Sequence, residues 1–376
     1  MKRLLIGFIA QVFLCNTLVM GAGHGHPAVA EPFKVGTFEI EDEARVGIVL
    51  RDRLVVELNE ANSALEKKAA YPVVPVPADM IKLIERYEYG LKRRLYEIVN
   101  ELVEGDKLGS KRPDYVHDLE NVHTLPPILY PGKILNAAVN FYSHVEESGT
   151  PEERAAARRQ RRENRGVPYL FMKPSRGAVI GTNDPVVIPY GRNRTDWEVE
   201  LGCVIGQTAK YVSANNAEDF VFGYMVSIDV SDRGGRPPGG NPLRSDWFVG
   251  KGHDTFAPQG PWIVPKEFYG NPMEILRQTL KIDDEQMQEA TAGDMIHSLW
   301  ELIEYGSSII TLHPGDVINN GTSGGTGAGT AKRFLKAGEV IEASIDGIGT
   351  LVIPVVGEEK PEGLTGAHLP PVDSYR

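Results

Sequence analysis

Apolar and polar residues alternate along two stretches of the N-terminal third of the chain, residues 33–40 and 45–58. A period of two residues is typical of β-strands that bury one face. The acidic residues 41–43 lie between the two stretches and predict a turn. This pattern predicts a small β module.

After Pro77 the period changes, and this change predicts a long helix. Apolar residues recur there at spacings of three and four, namely Ile84, Tyr87, Leu91, Leu95, Ile98 and Leu102. Such spacing gives a helix one apolar face, although Gly90 weakens its middle. Residues 105–131 are rich in Gly, Pro, Asp and Lys and are predicted to be a linker. Residues 31–131 would then hold the β module, the helix and the linker.

Residues 132–357 contain many short apolar runs separated by Gly and Pro, which favours a mixed or antiparallel sheet with few helices. One helix is predicted over residues 294–307, with Asp294 as its N-cap. Its apolar face would consist of Met295, Leu299, Leu302 and Ile303. Residues 358–376 contain several prolines and are predicted to be an extended tail. The predicted fold class is α+β, mostly β.

A second helix is predicted from Thr150 to Asn164, because Thr150 and Glu153 form a capping box and Pro151 takes the first helical position. Six arginines occur in or beside this helix, at positions 154, 158, 159, 161, 162 and 165. A solvated helix explains them, and a movable lid that attracts an anionic substrate is the alternative. Nucleic acid is not expected as a partner, since the chain is acidic and no aromatic residues interleave with the arginines.

The first thirty residues have the layout of a secretory signal. Lys2 and Arg3 precede an apolar stretch, and Ala28-Val29-Ala30 forms a small-residue cleavage site near Ala30. An uncleaved membrane anchor is the competing interpretation, but Gln11 and Asn16 interrupt the apolar run. Cleavage predicts a periplasmic or secreted protein without a stable membrane span.

Removal of residues 1–30 has two consequences for the mature protein. The formal charge changes from −11 to −13, because this segment contains two basic residues and no acid. Cys203 becomes the only cysteine, so no intramolecular disulfide can form. It lies inside the apolar run 201–205 and is predicted to be a packing residue rather than a reactive thiol.

Three carboxylates are the leading candidates for chemistry. Glu198 and Glu200 share one face of a predicted strand, and Asp229 follows the apolar run 220–228 at its end. Carboxylate oxygens are the ligands that Mg²⁺, Mn²⁺ and Ca²⁺ prefer. The residues therefore predict a divalent-metal site, most simply for Mg²⁺ or Mn²⁺, with a solvated strand face as the alternative.

Two further features have candidate roles beside this site. His144 and Glu147 are three residues apart, so the carboxylate can orient the imidazole as a general base for water. The glycine-rich segment 321–329 lacks the patterns of a phosphate loop and of a dinucleotide fingerprint. It is predicted to be an active-site loop that carries Thr322.

Six short segments in a fixed order carry a family resemblance. They are residues 140–147, 171–175, 198–200, 229–233, 251–255 and 315–322. In this order they resemble the fumarylacetoacetate hydrolase family over roughly Lys133 to Val356. The resemblance implies the mixed β-sheet fold of that family's C-terminal domain, a homodimer and a bound Mg²⁺ or Mn²⁺.

The resemblance also implies roles for individual residues. Glu198, Glu200 and Asp229 match the metal carboxylates, and His144 and Glu147 match a histidine and glutamate pair. Lys173, Arg233 and Lys251 match basic positions at the family's site. Thr322 matches the threonine that contacts a substrate carboxylate. Tyr142 and Arg236 are further candidates for substrate contact.

The chain departs from the family pattern at two positions that bear on the substrate. Arg233-Gly234-Gly235-Arg236 replaces an Arg-Asp-x-Gln motif, and Ser323 replaces a proline after the loop threonine. The expected function is metal-dependent hydrolysis of a carbon–carbon bond in a 2-oxo or 1,3-dicarbonyl acid. Decarboxylation, hydration or isomerisation at the same site, and non-catalytic binding of a metal and an organic acid, are the alternatives.

Overall fold

The structure is a computed structural model that describes residues 28–235 and 246–360. Most of the predicted signal segment, most of the predicted tail, and Arg236 lie outside the described residues.

The described residues form nineteen strands and nine helices, along with several shorter turns. The strands are β1 (Lys34–Ile40), β2 (Glu43–Leu50), β3 (Leu54–Glu57), β4 (Val116–Asp118), β5 (His123–Leu125), β6 (Ile134–Ala137), β7 (Leu170–Lys173), β8 (Val179–Ile180), β9 (Val186–Ile188), β10 (Thr195–Asp196), β11 (Val199–Ile205), β12 (Val221–Ile228), β13 (Ser231–Asp232), β14 (Ala257–Pro265), β15 (Arg277–Ile282), β16 (Glu285–Thr291), β17 (Val317–Asn319), β18 (Val340–Ile345) and β19 (Gly349–Gly357). The helices are α1 (Leu58–Glu66), α2 (Met80–Arg86), α3 (Lys92–Glu104), α4 (Tyr142–Val145), α5 (Pro151–Glu163), α6 (Trp247–Lys251), α7 (Lys266–Tyr269), α8 (Pro272–Ile275) and α9 (Leu299–Ile309).

The largest sheet runs through the whole described molecule. Its strand order is β4-β3-β2-β1-β14-β12-β11-β17-β6-β7, with β5 paired to β1 and β8 paired to β14. A second sheet has the order β16-β15-β18-β19-β9, and β10 pairs with β13. Most pairs are antiparallel, but β17 pairs with β6 in parallel. The predicted α+β, mostly β fold class is confirmed.

The N-terminal strands differ from their prediction in two respects. The single strand predicted over 45–58 is wrong, because Arg51 and Asp52 adopt positive φ and form a turn between β2 and β3. The interpretation of 105–131 as a linker is also wrong. This segment contains β4 and β5, which pair with β3 and β1. Strands of three residues are too short to show a periodic pattern in the sequence.

The predicted long helix is present as α2 and α3, which are joined by a kink at Tyr87–Leu91. Gly90 has a φ of 117° there, a conformation that glycine adopts without steric cost. Its apolar face remains buried on both sides of the kink. The helices therefore pack as one element despite the interruption.

The N-terminal strands and helices share their core with the larger part of the chain. Strand β1 pairs with β14 through Val35 and Ile263. Phe222, Met225 and Ile263 belong to the same buried cluster as α2 and α3. The hydroxyl groups of Tyr87 and Tyr96 both donate to Glu267. The two parts are thus joined by backbone pairing, apolar packing and polar contacts.

Two helix predictions have different outcomes. Helix α5 begins with the predicted capping box of Thr150 and Glu153. The helix predicted over 294–307 is instead α9, which begins after Ser298. Asp294 is not its N-cap, because Ser298 and Glu301 form a complete capping box four residues later. Asp294 accepts a hydrogen bond from the backbone N–H of Ser143 instead.

Cys203 is fully buried in β11, as expected for a packing residue, and burial raises the pKa of its thiol well above the usual value. Across the described ranges, no helix is both long enough and apolar enough to cross a membrane.

Candidate metal centre and catalytic cleft

The central strands bring the three predicted metal carboxylates together. Glu200 lies in β11, and Asp229 follows the last residue of β12, which pairs antiparallel with β11. Glu198 lies in the break between β10 and β11, and its carbonyl accepts a hydrogen bond from the Asp229 N–H at 2.8 Å. One oxygen from each carboxylate lies within 4.8 Å of the others, and all three residues are buried.

Three cations surround this carboxylate triad, which is Glu198, Glu200 and Asp229. Lys251 Nζ lies 2.7 Å from a Glu198 oxygen and 2.5 Å from an Asp229 oxygen. Lys173 Nζ lies 2.5 Å from the other Asp229 oxygen, and Arg233 donates to Glu198. Three formal positive charges thus face three formal negative charges in a buried site.

Glu198 and Glu200 have pKa values shifted in opposite directions. Burial raises the pKa of Glu200 well above its usual value, and the charges of Asp229 and Glu198 raise it further. Burial acts in the same direction on Glu198, but Lys251 and Arg233 outweigh it and lower the pKa of that carboxyl. Glu200 is therefore the carboxylate whose charge the surrounding side chains balance least.

The pKa values of Lys173 and Lys251 are shifted in opposite directions. Burial lowers the pKa of Lys173 to about 8, although Asp229 opposes this shift. Burial acts on Lys251 as well, but Asp229 and Glu198 together raise its pKa above the usual value. The ammonium of Lys251 is therefore the more firmly charged of the two, because it contacts two carboxylates.

The carboxylate triad fits a divalent cation. It offers only oxygen donors, which is the donor set of Mg²⁺, Mn²⁺ and Ca²⁺. The three surrounding cations contact Glu198 and Asp229, so the charge of Glu200 beside these two carboxylates is the costly one, as its raised pKa shows. A divalent cation held by these three residues would remove that cost.

His144 and Glu147 form a hydrogen-bonded pair beside the triad. Nδ1 of His144 contacts a Glu147 oxygen, which fixes the proton on Nδ1 and leaves Nε2 as the acceptor. Helix α4 ends at Val145, so Glu147 follows the helix rather than belonging to it. Burial opposes ionisation of Glu147, but His144 and the N–H groups of Thr326 and Gly325 lower its pKa.

The glycine-rich segment holds this pair in place. The N–H groups of Gly325 and Thr326 donate to Glu147 at 2.7 and 2.8 Å, and the Thr326 and Thr330 hydroxyls donate as well. A Cβ on Gly329 would overlap the Glu147 carboxylate. The backbone N–H groups of this segment therefore fix Glu147, which in turn orients His144. The segment can approach the Glu147 carboxylate this closely because residue 329 is a glycine.

Asp196 is a site residue that the sequence analysis did not single out. It is fully buried, accepts from the N–H groups of Gly327 and Ala328 at 2.6 and 3.0 Å, and contacts Arg233 Nε at 3.0 Å. Burial raises the pKa of Asp196, although Arg233 opposes this shift. The sequence does contain a signal that could have indicated Asp196, because Asp196, Glu198 and Glu200 are spaced two residues apart.

A cavity of about 60 Å³ lies beside the triad, and His144, Arg233, Lys251 and Thr322 line it together with the three carboxylates. The Thr322 hydroxyl donates to the Val199 carbonyl at 2.9 Å. Its proton is therefore directed into the protein rather than into the cavity.

Two predicted substrate contacts lie away from the cavity wall. Lys173 is buried against Asp229 and the carbonyl of Val230. Tyr142 is buried under the guanidinium groups of Arg158 and Arg162, each 5.1 Å from its ring centroid. In the structure these residues support the site rather than face the cavity.

The chain belongs to the fumarylacetoacetate hydrolase family. Residues 133–356 match the family model described as fumarylacetoacetate (FAA) hydrolase C-terminal. The family predicted from the six segments is confirmed.

Individual relatives show which reactions occur in this family. The chain is 38% identical over 226 residues to 2,4-didehydro-3-deoxy-L-rhamnonate hydrolase of Sphingomonas sp. (strain SKA58), a match that covers 60% of this chain and 73% of that protein. The structure resembles maleylpyruvate hydrolase from Sphingobium sp. SYK-6 in complex with manganese(II) ion and pyruvate, with a TM-score of 0.61 and 27% identity. That match covers 87% of this chain and all of the other.

An isomerase is among the similar structures. The 5-carboxymethyl-2-hydroxymuconate delta-isomerase from Mycobacterium smegmatis matches with a TM-score of 0.59 and 26% identity, over 87% of this chain and 100% of that one. The chain is accordingly an enzyme, either a hydrolase acting on carbon–carbon bonds in ketonic substances or an isomerase of the same family.

Proposed function

We propose that the protein is a divalent-metal-dependent hydrolase that cleaves a carbon–carbon bond in a 2-oxo or 1,3-dicarbonyl acid of the acylpyruvate type. One observation carries this proposal: the carboxylate triad and His144, which is hydrogen-bonded to Glu147, line the same cavity. Glu198, Glu200 and Asp229 would hold Mg²⁺ or Mn²⁺, with Ca²⁺ as a further candidate. When bound, the cation would supply Lewis-acid polarisation of the 2-oxo acid end of the substrate.

His144 is the proposed general base. Because its Nδ1 is tied to Glu147, its Nε2 is the nitrogen that can take a proton from water. Hydroxide adds to the distal carbonyl carbon, forming a carbon–oxygen bond. The bond between that carbon and the methylene then breaks, and the electron pair remains on the methylene as the enolate of pyruvate. The proton that His144 took from water returns to the enolate carbon and gives pyruvate, and the acyl part leaves as a carboxylic acid.

Lys251 and Arg233 provide positive charge where the enolate develops. Both line the cavity, and both already contact triad carboxylates. Fixed positive groups aimed at a developing negative charge lower the barrier without reorganising during the reaction. Asp196 accepts from Nε of the same guanidinium group and so helps to keep Arg233 in this position.

The test is the loss of the ultraviolet absorbance of acylpyruvates on incubation with the purified enzyme and Mg²⁺, Mn²⁺ or EDTA. Turnover that requires the metal and releases pyruvate and a carboxylic acid in equal amounts would support the proposal. Fumarylpyruvate and oxaloacetate belong in the same panel, because products distinguish hydrolysis from isomerisation and decarboxylation. An enzyme that only isomerises the double bond of a dienoic 2-oxo acid would overturn it.

We also propose that the protein is exported and forms a homodimer. Residues 1–30 support export through their basic start, apolar stretch and Ala28-Val29-Ala30 site, and the family resemblance supports the dimer. The mass of the protein recovered from the producing cells tests cleavage near Ala30. Sedimentation equilibrium of the same sample tests the dimer.

A further inference from the structure

The cavity beside the carboxylate triad is lined by two chemically different sets of residues. The polar set consists of the three carboxylates with His144, Arg233, Lys251 and Thr322, whereas the largest members of the apolar set are Val139, Phe171 and Trp247. We call the apolar set the apolar side of the cavity. The proposed reaction uses only polar residues, yet the apolar side also bounds the space that a substrate must occupy.

Three aromatic rings form a continuous ledge on this apolar side. The rings of Phe171 and Trp247 lie 4.7 Å apart at an angle of 31°, and those of Tyr169 and Trp247 lie 5.8 Å apart at 34°. The inner end of the ledge is Phe171, whose ring lies 5.2 Å from the Lys251 ammonium. Since Lys251 contacts two triad carboxylates, the ledge leads outward from the metal centre.

The outer part of the ledge is exposed to solvent. Trp247 is 40% exposed and Tyr169 is 52% exposed. Adjacent rings that are partly exposed form an apolar patch, and covering such a patch with an apolar group is favourable. Val139 adds an apolar side chain at the same cavity, with a φ of 49° that is rare for a β-branched residue. Backbone strain of this kind concentrates at functional sites.

The charges of the described residues that line the cavity favour an apolar substrate group on the ledge. Among the described residues that line the cavity, only Arg233 and Lys251 are permanently cationic. Both contact triad carboxylates and serve the metal-binding end of the substrate. A second carboxylate on the substrate would find aromatic carbon rather than a cation beside Trp247.

We propose, on the basis of the hydrolase function proposed above, that the acyl group distal to the 2-oxo acid end is apolar and planar and stacks on Trp247. The substrate class is therefore aroylpyruvates and related acylpyruvates with a flat apolar acyl group. Trp247 is the specificity-determining residue. Stacking on an indole ring, together with the covered apolar area, favours such a group by about tenfold over a methyl group.

The experiment compares acetylpyruvate with benzoylpyruvate in the purified, Mg²⁺-loaded enzyme. We expect kcat/KM to be about tenfold higher for benzoylpyruvate. In Trp247→Ala this ratio should fall towards one, with most of the loss in KM for benzoylpyruvate, whereas Trp247→Phe should keep part of the preference. Phe248→Ala is the matched control. Phe248 is the next residue and is 77% exposed, but it does not line the cavity.

The outcomes separate this inference from the proposed function. Cleavage of both substrates with equal efficiency, or a ratio that Trp247→Ala leaves unchanged, would overturn the aromatic specificity and leave the hydrolase in place. The same conclusion follows if Trp247→Ala converts a dimer into monomers without changing the ratio, since the ledge would then be an interface between copies. Failure to cleave either substrate would overturn the hydrolase and, with it, the specificity. Thermal unfolding of each variant shows whether it is folded.

Discussion

The carboxylate of Glu200 is fully buried next to two others, and the surrounding cations contact Glu198 and Asp229 instead. Without a metal, its negative charge therefore opposes folding. We predict that Glu200→Gln raises the stability of the EDTA-treated protein by about 1 kcal/mol. The amide can still accept the hydrogen bond from the Gly321 N–H. The same change should abolish the rise in melting temperature that Mn²⁺ causes in the unaltered protein.

Thermal unfolding with EDTA and with Mn²⁺ measures both effects. Glu163→Gln is the control, because it makes the same change at the exposed end of α5 and should keep the full response to Mn²⁺. A Glu200→Gln protein that Mn²⁺ still stabilises as strongly as the unaltered one would remove Glu200 from the metal site.

His144 is the proposed base, so its removal should affect only reactions that need an attacking water. We predict that His144→Ala lowers kcat for acylpyruvate cleavage by about 10²- to 10⁴-fold. Glu147→Gln should have a smaller effect, about 10- to 100-fold, because it only loosens the imidazole. Steady-state rates with an acylpyruvate check both. If His144→Ala cleaves acylpyruvates at the normal rate, another group is the base.

Residue type and spacing indicated the triad and the His144–Glu147 pair, and the family resemblance joined them in one predicted site. The structure brings the three carboxylates together and places His144 against Glu147. Asp196 shares the two-residue spacing of Glu198 and Glu200, but that spacing does not reveal its partners Gly327 and Ala328, which are more than 130 residues away. The orientation of Lys173 towards Asp229 likewise depends on how β7 is placed beside the end of β12. Contacts of this kind depend on the tertiary fold and leave no periodic pattern.

The glycine-rich loop is the element that connects the base to the rest of the site. Gly329 lies directly against the Glu147 carboxylate, with no room for a Cβ. We predict that Gly329→Ala displaces Glu147 and lowers kcat by about tenfold, a smaller effect than loss of His144 itself. The pH dependence of kcat should shift as well, since the imidazole loses its fixed partner.

Gly109→Ala is the matched control for this prediction, because no atom lies within 4 Å of its added Cβ. It should leave kcat and its pH profile unchanged. If Gly329→Ala has the kcat and pH profile of the unaltered enzyme, the loop does not set the position of Glu147.

Helix α5 is held to the site by one of its arginines. Arg158 contacts both Glu146 oxygens at 3.0 Å and Asp294 at 3.3 Å. We predict that Arg158→Ala loosens α5 by about 1 kcal/mol and speeds trypsin cleavage within residues 154–165 about fivefold. Arg159→Ala removes an exposed arginine and one cleavage site in the same way, and should not speed cleavage at the remaining sites. Equal cleavage rates in the two variants would show that Arg158 does not anchor the helix.

A local signature located the start of one helix, whereas the strands defined by distant partners were not predicted. The capping box of Thr150 and Glu153 located the start of α5. Helix α9 has the same kind of signature in Ser298 and Glu301, so the predicted N-cap at Asp294 is wrong although the correct one has a local pattern. Strands β4 and β5 have three residues each and are defined by pairing with β3 and β1. Their sequences alone are too short to specify this pairing.

At the scale of the whole molecule, the sequence predicted a small N-terminal module and a larger catalytic part, and the family match begins at residue 133. The structure joins them in one sheet, because β1 pairs with β14 and the buried cluster of α2 and α3 includes residues from β11, β12, β14 and β17. The order β2-β1-β14-β12 depends on the pairing of β1 with β14, whose paired residues Val35 and Ile263 are more than 200 positions apart in the sequence. No periodic pattern in the sequence specifies that pairing.

This shared core predicts how a truncated chain behaves. A chain that starts at residue 132 would expose the edge of β14 and the side chains of Phe222, Met225 and Ile263. Exposed sheet edges and apolar patches cause aggregation. We therefore predict that residues 132–376 are insoluble when expressed alone, although they contain every proposed catalytic residue. Co-expression with residues 31–131 should restore a soluble, metal-binding complex, measured by size-exclusion chromatography and circular dichroism. A soluble, active 132–376 chain would show that the catalytic part folds by itself and that the N-terminal strands are an addition to a complete sheet.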